Sequence, residues 1–313
     1  MRSSIRAFVS SERPMSETAI ESLPEIHFPT PGQILLRRTF RHKGFMLGSI
    51  VLLLIVAIAL LAPVLAPHDP YAQDLPNRLL GPIWHENGTW EHPLGTDNLG
   101  RDYLSRLMYG ARISLLIGAS AMLISGLIGT TLGICAGYFG GWVDMVVSFI
   151  ITTRLSMPVV LVALAVVALI GGSLHVIIWV LGLLIWDRFA VVMRSSAQQL
   201  RSVEYVAAAQ AIGCSTLRIL IGELLPNILN NLIVVATLEI AHAILLEAAL
   251  SFLGMGVQPP LPSWGLMIAE AKDFMFFNPW MITIPGTILS LLVLSINLMG
   301  DGVRDITAPE GRS

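Results

Sequence analysis

The chain has 313 residues, of which 54% are hydrophobic and only 13% are charged, and its formal net charge is -2. Soluble domains carry roughly a quarter charged residues, so this composition excludes an ordinary soluble globular protein and indicates that membrane lipid surrounds most of the chain. The small net charge gives no basic field that would attract a nucleic acid, and no nucleic-acid partner is expected.

The N-terminal segment, residues 1–43, is polar, carries mixed charges and contains four prolines. Because proline interrupts helices, we predict an irregular cytoplasmic tail over this segment. A secretory signal has a short apolar stretch near the N-terminus, whereas the first apolar run here begins near Phe45 and extends to Ala66. That run is long enough to cross the bilayer, so we interpret it as an uncleaved membrane helix.

Six apolar stretches of about 20 residues or more are predicted to span the membrane as helices. They are residues 45–66, 113–136, 144–170, 174–193, 228–250 and 281–300. The predicted fold class is therefore an all-α integral membrane protein with six transmembrane helices. An even number of spans places both termini on the same side of the membrane.

Lysine and arginine set the predicted orientation, because cytoplasmic loops are enriched in them. Four basic residues directly precede the first span, three arginines lie between spans four and five, and two follow span six. We therefore predict that both termini are cytoplasmic. The predicted outer loop 67–112 also carries four arginines, but long loops follow the rule less strictly.

Of the two longer outer loops, 67–112 and 251–280, the first is predicted to be structured. Apolar residues recur at helical spacing over 100–114, which predicts an amphipathic helix at the membrane surface before span two. The prolines of the second loop exclude a regular helix around them. Its tryptophans, Trp264 and Trp280, are typical of the membrane–water boundary.

Neither a catalytic site nor a nucleotide-binding site is expected in this chain. A phosphate-binding loop needs Gly-Lys-Ser/Thr, but neither of the two lysines, Lys43 and Lys272, follows a glycine. The sequence also lacks Gly-x-Ser-x-Gly and His-Glu-x-x-His. Histidines 68, 85 and 92 share one outer loop at wide spacing, so we expect no metal site there and no cofactor in this chain.

Ionisable residues inside predicted spans are candidates for function, because a charge in the bilayer core is costly. Glu239, His242 and Glu247 of span five fall within an arc of about 140° at 100° per residue. We predict that this face points into the bundle or the transport path, as a pathway or gate. A purely structural role for His242, bonded to Glu239, is an equal alternative. Arg154 in span three is interpreted as snorkelling to the inner interface.

The predicted cytoplasmic loop between spans four and five, 194–230, carries the most informative pattern. Its alanine-rich run at 207–211 favours a helix, and Gly213 is suited to end that helix in a left-handed turn. A second helical pattern then leads to Pro226. Small side chains allow the groove of a partner to approach closely, so we predict a docking surface for a partner protein. An ordinary amphipathic connector is the alternative.

This loop resembles the "EAA" loop of ATP-binding-cassette importer permeases, whose pattern is Glu-Ala-Ala, three residues, Gly and a later Leu-Pro. The predicted ATPase-coupling residues are Glu204, Ala207, Ala208, Ala209, Gly213, Leu225 and Pro226. Two positions depart from the family pattern: Ala207 stands where glutamate is usual, and Gln210 stands where arginine is frequent. Glu204 provides a carboxylate three residues before Ala207.

The outer loops support a narrower resemblance. Residues 92–115 are similar to the segment that leads into span two of dipeptide, oligopeptide and nickel permeases, and residues 247–265 are similar to the end of their span five. The outer-loop motif comprises Gly95, Thr96, Asp97, Gly100, Arg101 and Asp102. The resemblance runs from about residue 37 to 306 and fits the "C" type of the two paired permeases.

The resemblance implies a type I importer permease fold in a bacterial inner membrane. It also implies a homologous permease as partner in a heterodimer, two cytoplasmic ATP-binding subunits that hold ATP and Mg²⁺, and an extracytoplasmic substrate-binding protein. The implied cargo is a di- or oligopeptide or a related small solute, nickel complexes included. The domain organisation is then a tail over 1–43, a first span and outer loop over 44–112, a five-helix core over 113–306 and a tail over 307–313.

The alternative function is a proton-coupled secondary transporter that uses Glu239, His242 and Glu247 as a relay. Such a carrier has no need of a docking loop with the pattern at 204–226. The loop therefore favours a permease subunit that is driven by separate ATPases.

Overall fold

A computed structural model describes residues 37–307, and those from Thr39 onward belong to one compact unit. The helices of eight residues or more in this range are α1 (Lys43–Leu65), α2 (Tyr103–Phe139), α3 (Gly141–Leu155), α4 (Val159–Ile170), α5 (Leu174–Leu184), α6 (Asp187–Leu200), α7 (Glu204–Ala211), α8 (Leu225–Phe252), α9 (Trp264–Ala271) and α10 (Trp280–Thr307). The described residues contain no β-strand, only an isolated bridge between Thr96 and Asp102.

Within the described residues, five helical segments are long and apolar enough to cross a bilayer. They are Lys43–Leu65, Tyr103–Phe139, Leu174–Leu200, Thr216–Phe252 and Trp280–Thr307. The bent pair α3 and α4 supplies the sixth span when it is counted as one. The all-α, six-span prediction is confirmed in this form.

The last residues of the predicted N-terminal tail are helical and not irregular. α1 begins at Lys43, where the His42 side chain accepts a hydrogen bond from the Phe45 N–H, and residues 39–41 are already helical. Residues 1–36 of the predicted tail lie outside the described range. α10 ends at Thr307, and residues 308–313 of the predicted C-terminal tail also lie outside that range.

The third predicted span, 144–170, is not one continuous helix, because α3 and α4 meet at an angle of 82°. Pro158 occupies the N-cap position of α4; it lacks an N–H and disfavours a helical conformation in the residue before it. Arg154 lies at this break and donates hydrogen bonds to the carbonyl oxygens of Met157 and Leu184. Arg154 therefore caps carbonyl groups at the break, which the snorkelling interpretation did not predict.

The separate surface helix predicted over 100–114 is wrong. The Asp102 carboxylate accepts a hydrogen bond of 2.8 Å from the Ser105 N–H and so caps α2 at its N-terminus. α2 then runs unbroken from Tyr103 into the second span. Tyr103 and Leu107 are 1% and 7% exposed. They pack in an apolar core formed by α1, α2, α8, α9 and α10, which we call the outer core, and not on a membrane surface.

Trp264 and Trp280 belong to the same outer core, so their assignment to the membrane–water boundary is also wrong. They are 1% and 4% exposed and cluster with apolar residues of α1, α2, α8 and α10. The Trp264 indole N–H donates to the Leu107 carbonyl at 2.9 Å. α9 is thereby fixed against the first turns of α2.

Glycines of α2 allow the backbone of this helix to approach the backbone of α6 closely. A Cβ atom placed on Gly129 would lie 2.3 Å from the Trp186 carbonyl oxygen, and one on Gly133 would lie 2.6 Å from that of Ala190. Gly137 repeats this arrangement one turn further on, against Arg194. Small residues of this kind let membrane helices pack backbone to backbone.

We predict that Gly129→Ala destabilises the fold, because the new methyl group meets backbone atoms that cannot rotate away. Overpacking of this kind costs about 1–3 kcal/mol. Gly286→Ala is the matched control, because no atom lies within 4 Å of its added Cβ and alanine favours helix over glycine. The thermal unfolding midpoint of each variant in detergent should fall for Gly129→Ala and stay level or rise for Gly286→Ala. Equal midpoints would contradict the close packing.

Candidate functional site

The loop 194–230, predicted to be cytoplasmic and called the inner loop below, contains the predicted helix and turn. α7 spans Glu204–Ala211, and Gly213 follows it with a φ of +83°, which confirms the left-handed turn. The second helical stretch is not a separate short helix, because Thr216–Arg218 passes through a π-helical turn at Ile219–Leu224 directly into α8. The loop predicted over 194–230 is therefore mostly helical, and only residues near 201–203 and 212–215 connect its helices.

One face of α7 is buried and the other is exposed. Val206 and Ala209 pack against residues of α2, α6 and α8. Glu204, Ala207 and Ala208 lie on the exposed face. Gly213 is exposed as well, and no atom would lie within 4 Å of a Cβ at that position.

Three large apolar side chains next to this face are also exposed. Ile212, Leu217 and Ile221 are 81%, 66% and 57% exposed. Their exposure was not predicted from the sequence, in which Ile219 and Leu220, between Leu217 and Ile221, are equally apolar. Together with the exposed alanines they make up the proposed apolar docking surface, which we define as Ala207, Ala208, Ile212, Leu217 and Ile221.

Polar contacts fix this loop to the inner end of α2. The Gln210 side-chain amide donates to the Tyr138 hydroxyl at 3.1 Å, and Arg201 donates to the Tyr138 carbonyl oxygen at 3.3 Å. Arg194 forms a two-pronged ion pair with Asp144 of α3. Gln210, which stands where arginine is frequent in the family pattern, thus makes an uncharged hydrogen bond to α2.

At the opposite end of α2, the motif predicted in the outer loop is a tightly folded turn. Gly95 and Gly100 have φ values of +78° and +77°. A Cβ on Gly95 would lie 2.2 Å from the Leu80 carbonyl oxygen, and one on Gly100 would lie 1.8 Å from that of Asp74, so both positions require glycine. Thr96 donates to the Asn77 carbonyl oxygen at 2.5 Å, which ties the two ends of the loop together.

A buried ion cluster joins this motif to α9. Asp97 accepts a hydrogen bond of 2.6 Å from Arg101 and lies 3.3 Å from Arg106. Both arginines also bind Glu270 of α9, Arg101 at 3.3 Å and Arg106 at 2.7 Å. Arg106 is completely buried. The motif residues therefore have a structural role, which is to connect the start of α2 to α9.

The polar residues of the fifth span form two separate groups. Glu239 is buried; one carboxylate oxygen lies 3.1 Å from His242 Nδ1, and the other accepts a 3.1 Å bond from Arg188 of α6. Glu247 is about 12 Å further along the helix and instead accepts hydrogen bonds from Ser251 and Ser263 at 2.7 and 2.9 Å. The structure thus brings Glu239 and His242 together but leaves Glu247 apart.

Arg188 is the partner of Glu239 that the sequence analysis missed. Its side chain is 57% exposed while that of Glu239 is 1% exposed. The sequence signal was present, because an Asp-Arg pair at 187–188 interrupts the predicted span 174–193 and such charges mark candidate sites.

Comparisons with known proteins identify the family. A family model described as "Binding-protein-dependent transport system inner membrane component" matches residues 129–312, which include the inner loop and α8–α10. A second model, the N-terminal transmembrane domain of oligopeptide transport permease C, matches residues 30–82. The chain belongs to the family of binding-protein-dependent transport permeases.

Similar permeases cover almost the whole chain. The di/tripeptide transport system permease protein of Pseudomonas aeruginosa is 40% identical over 92% of this chain and 95% of its own length. The dipeptide transport system permease protein of Haemophilus influenzae is 38% identical over 95% and 99%. The glutathione transport system permease protein of Pectobacterium atrosepticum is 35% identical over 91% and 93%.

The fold is also that of a solved importer. An inward-facing structure of the MetNI methionine ABC transporter covers 65% of this chain and 97% of that one, with a TM-score of 0.54 and 19% identity. The predicted type I importer permease fold is confirmed. The permease is therefore the multi-pass inner-membrane subunit of an ABC importer, a system that also contains ATPase subunits and a substrate-binding protein.

We predict that Arg106→Gln destabilises the permease, because it removes one of the two buried arginines that bind Asp97 and Glu270 and leaves Arg101 alone beside both carboxylates. Removing one member of a buried ion pair costs about 3–5 kcal/mol. Arg112→Gln is the control, since Arg112 is exposed and its one aromatic contact, 5.8 Å from the Tyr109 ring, contributes about 1 kcal/mol or less. Thermal unfolding in detergent should separate the two variants by several degrees, and equal midpoints would argue against the ion cluster.

Proposed function

We propose that this permease forms one half of a translocation path for di- or oligopeptides, with a homologous permease as the other half. The relatives named for di/tripeptide, dipeptide and glutathione transport support short peptides as the cargo. The match to the N-terminal domain of an oligopeptide permease of the C type supports pairing with a second, homologous permease.

We propose further that a cytoplasmic ATPase docks on the apolar docking surface. The observation that carries this proposal is the arrangement of α7, whose one face is buried in the permease while Ala207 and Ala208 on the other face are exposed beside Ile212 and Leu217. Exposed apolar surface of this kind marks a protein–protein contact. Small alanines allow the groove of the ATPase to approach the helix backbone.

Docking at this loop requires it to face the cytoplasm. Arg194, Arg201 and Arg218 lie on or beside it, which supports that orientation, and an even number of spans then places both termini inside. ATP and Mg²⁺ belong on the ATPases in this proposal, and the permease itself holds no nucleotide and no cofactor.

A proton relay receives less support from the geometry. Glu239 is engaged by Arg188 and His242, and Glu247 is engaged by two serines. A relay needs neighbouring groups that exchange a proton, whereas about two helical turns separate these groups. Glu239, His242 and Arg188 fit better as a charged contact between α6 and α8 beside the path.

The docking proposal predicts that Gly213→Val combined with Ala208→Trp uncouples the importer. Valine is strained at positive φ by roughly 1–2 kcal/mol, and tryptophan at the exposed Ala208 holds the two surfaces apart. A loss of about 1.4 kcal/mol changes an equilibrium tenfold, so we expect at least a tenfold loss of ATP-driven peptide uptake by the reconstituted complex and less ATPase co-purified with it.

The control for this test is Gly213→Asn combined with Ala208→Ser. Asparagine tolerates the left-handed conformation, and serine adds little volume. This variant should retain uptake and ATPase association close to wild type. Normal uptake and normal ATPase association in the valine–tryptophan variant would show that this loop is not the coupling element.

A further inference from the structure

His68, Glu91 and His92 meet in the outer loop, near the end of α1. Each offers one ligand atom, and the three atoms lie within 4.8 Å of one another. We propose that these three residues bind a divalent transition metal ion, with Zn²⁺ as the best fit to two imidazoles and one carboxylate. The sequence spacing predicted no metal site here, and His85, the third histidine of the loop, is not part of the group.

Asp102 supplies the carboxylate to which metal-binding histidines usually donate a hydrogen bond. Its Oδ1 atom lies 2.9 Å from His92 Nδ1 and 3.7 Å from His68 Nδ1. Ligand histidines generally donate their second ring N–H to a carboxylate, which fixes the ring and the tautomer. With His92 Nδ1 bonded to Asp102 and His68 Nδ1 lying 3.7 Å from it, the Nε2 atom of each ring is the atom left to bind the metal.

The Asp102 carboxylate is held in place independently of the metal. It is 2% exposed, and its Oδ2 atom accepts hydrogen bonds from the backbone N–H and the hydroxyl of Ser105 at 2.8 and 2.6 Å. The His68 Nδ1 atom, in contrast, is buried without a hydrogen bond. A metal that draws the His68 ring toward Asp102 would supply that missing bond.

The two rings and the carboxylate need only a small movement to close around an ion. The His68 and His92 ring centroids lie 4.7 Å apart with an interplanar angle of 39°. Ligand atoms about 2.0–2.1 Å from tetrahedral Zn²⁺ lie about 3.3 Å from one another, so the group must close by about 1.5 Å. Glu91 is exposed and has no hydrogen bond or ion pair among the described residues, so its side chain is free to rotate.

A metal at this position would link three parts of the outer loop. His68 lies three residues after α1 ends, Glu91 and His92 precede the folded motif, and Asp102 caps α2. Three protein ligands leave a fourth position for water or another ligand from the aqueous side. The ion would therefore clamp the segment after α1 to the start of α2 and would raise the unfolding midpoint of the permease.

The test uses the full-length permease in detergent, with its affinity tag removed and its metals stripped with a chelator. Zn²⁺ is titrated in competition with a chromophoric chelator at one fixed pH of about 7.5, because metal affinity depends on pH. We expect one equivalent per chain, with at least tenfold weaker binding for His68→Gln and Glu91→Gln. The control His85→Gln should bind like wild type.

Co²⁺ provides a second readout that does not depend on affinity. Wild type should show the intense visible absorption of four-coordinate Co²⁺, and Glu91→Gln should lose it. Glu91 is exposed, so this variant should fold normally, which its thermal unfolding without metal will verify. The absence of saturable Zn²⁺ binding by wild type, or equal binding by wild type and both ligand variants, would overturn the proposal. Peptide uptake does not enter either measurement.

Discussion

The close approach of α2 and α6 is the constraint on which the rest of the structure depends. A Cβ added at Gly129, Gly133 or Gly137 would lie 2.3–2.6 Å from a backbone carbonyl oxygen. These oxygens belong to α6 or to Trp186, the residue just before it, so the two backbones are in contact. Apolar contact between membrane helices gains little over contact with lipid, and association therefore rests on close packing and on polar contacts. Because α2 is one helix of 37 residues, about 55 Å long, it connects this fixed packing, which lies near the inner loop, to the outer loop.

Each end of α2 contacts a loop for which a binding role is proposed above. At the outer end, Arg106 binds Glu270 of α9 and Asp102 stands beside the two histidines of the outer loop. At the inner end, Tyr138 binds Gln210 of α7. An ATPase that moves α7 would therefore move α2 and α6 as one body, which is the kind of rigid rocking that alternating access requires. The helical framework is interrupted in the third span, where α3 and α4 meet at an angle of 82°.

The sequence predicted the spans, the glycine turn and the short helix α7 before that turn well, because each depends on local composition or on one residue type. It failed where the outcome depends on distant residues. The helix predicted over 100–114 was not recognised as the start of α2, because Arg106 looks like a surface residue until Glu270, 164 positions further on, pairs with it. The meeting of His68 with His92 likewise depends on how the loop folds. The break at Pro158 was visible in the sequence but was outweighed by the apolar run on both sides of it.

Site-specific crosslinking of α7 to the ATPase tests the coupling account most directly. In a background of Cys135→Ser and Cys214→Ser, Ala208→Cys should crosslink to the ATPase subunit of the assembled importer in inside-out membrane vesicles. Glu86→Cys in the outer loop should not. The account predicts an adduct of permease and ATPase for Ala208→Cys alone, and a crosslink whose yield changes when ATP is bound. An assembled, active importer in which Ala208→Cys gives no such adduct, or in which Glu86→Cys gives it instead, would contradict the account.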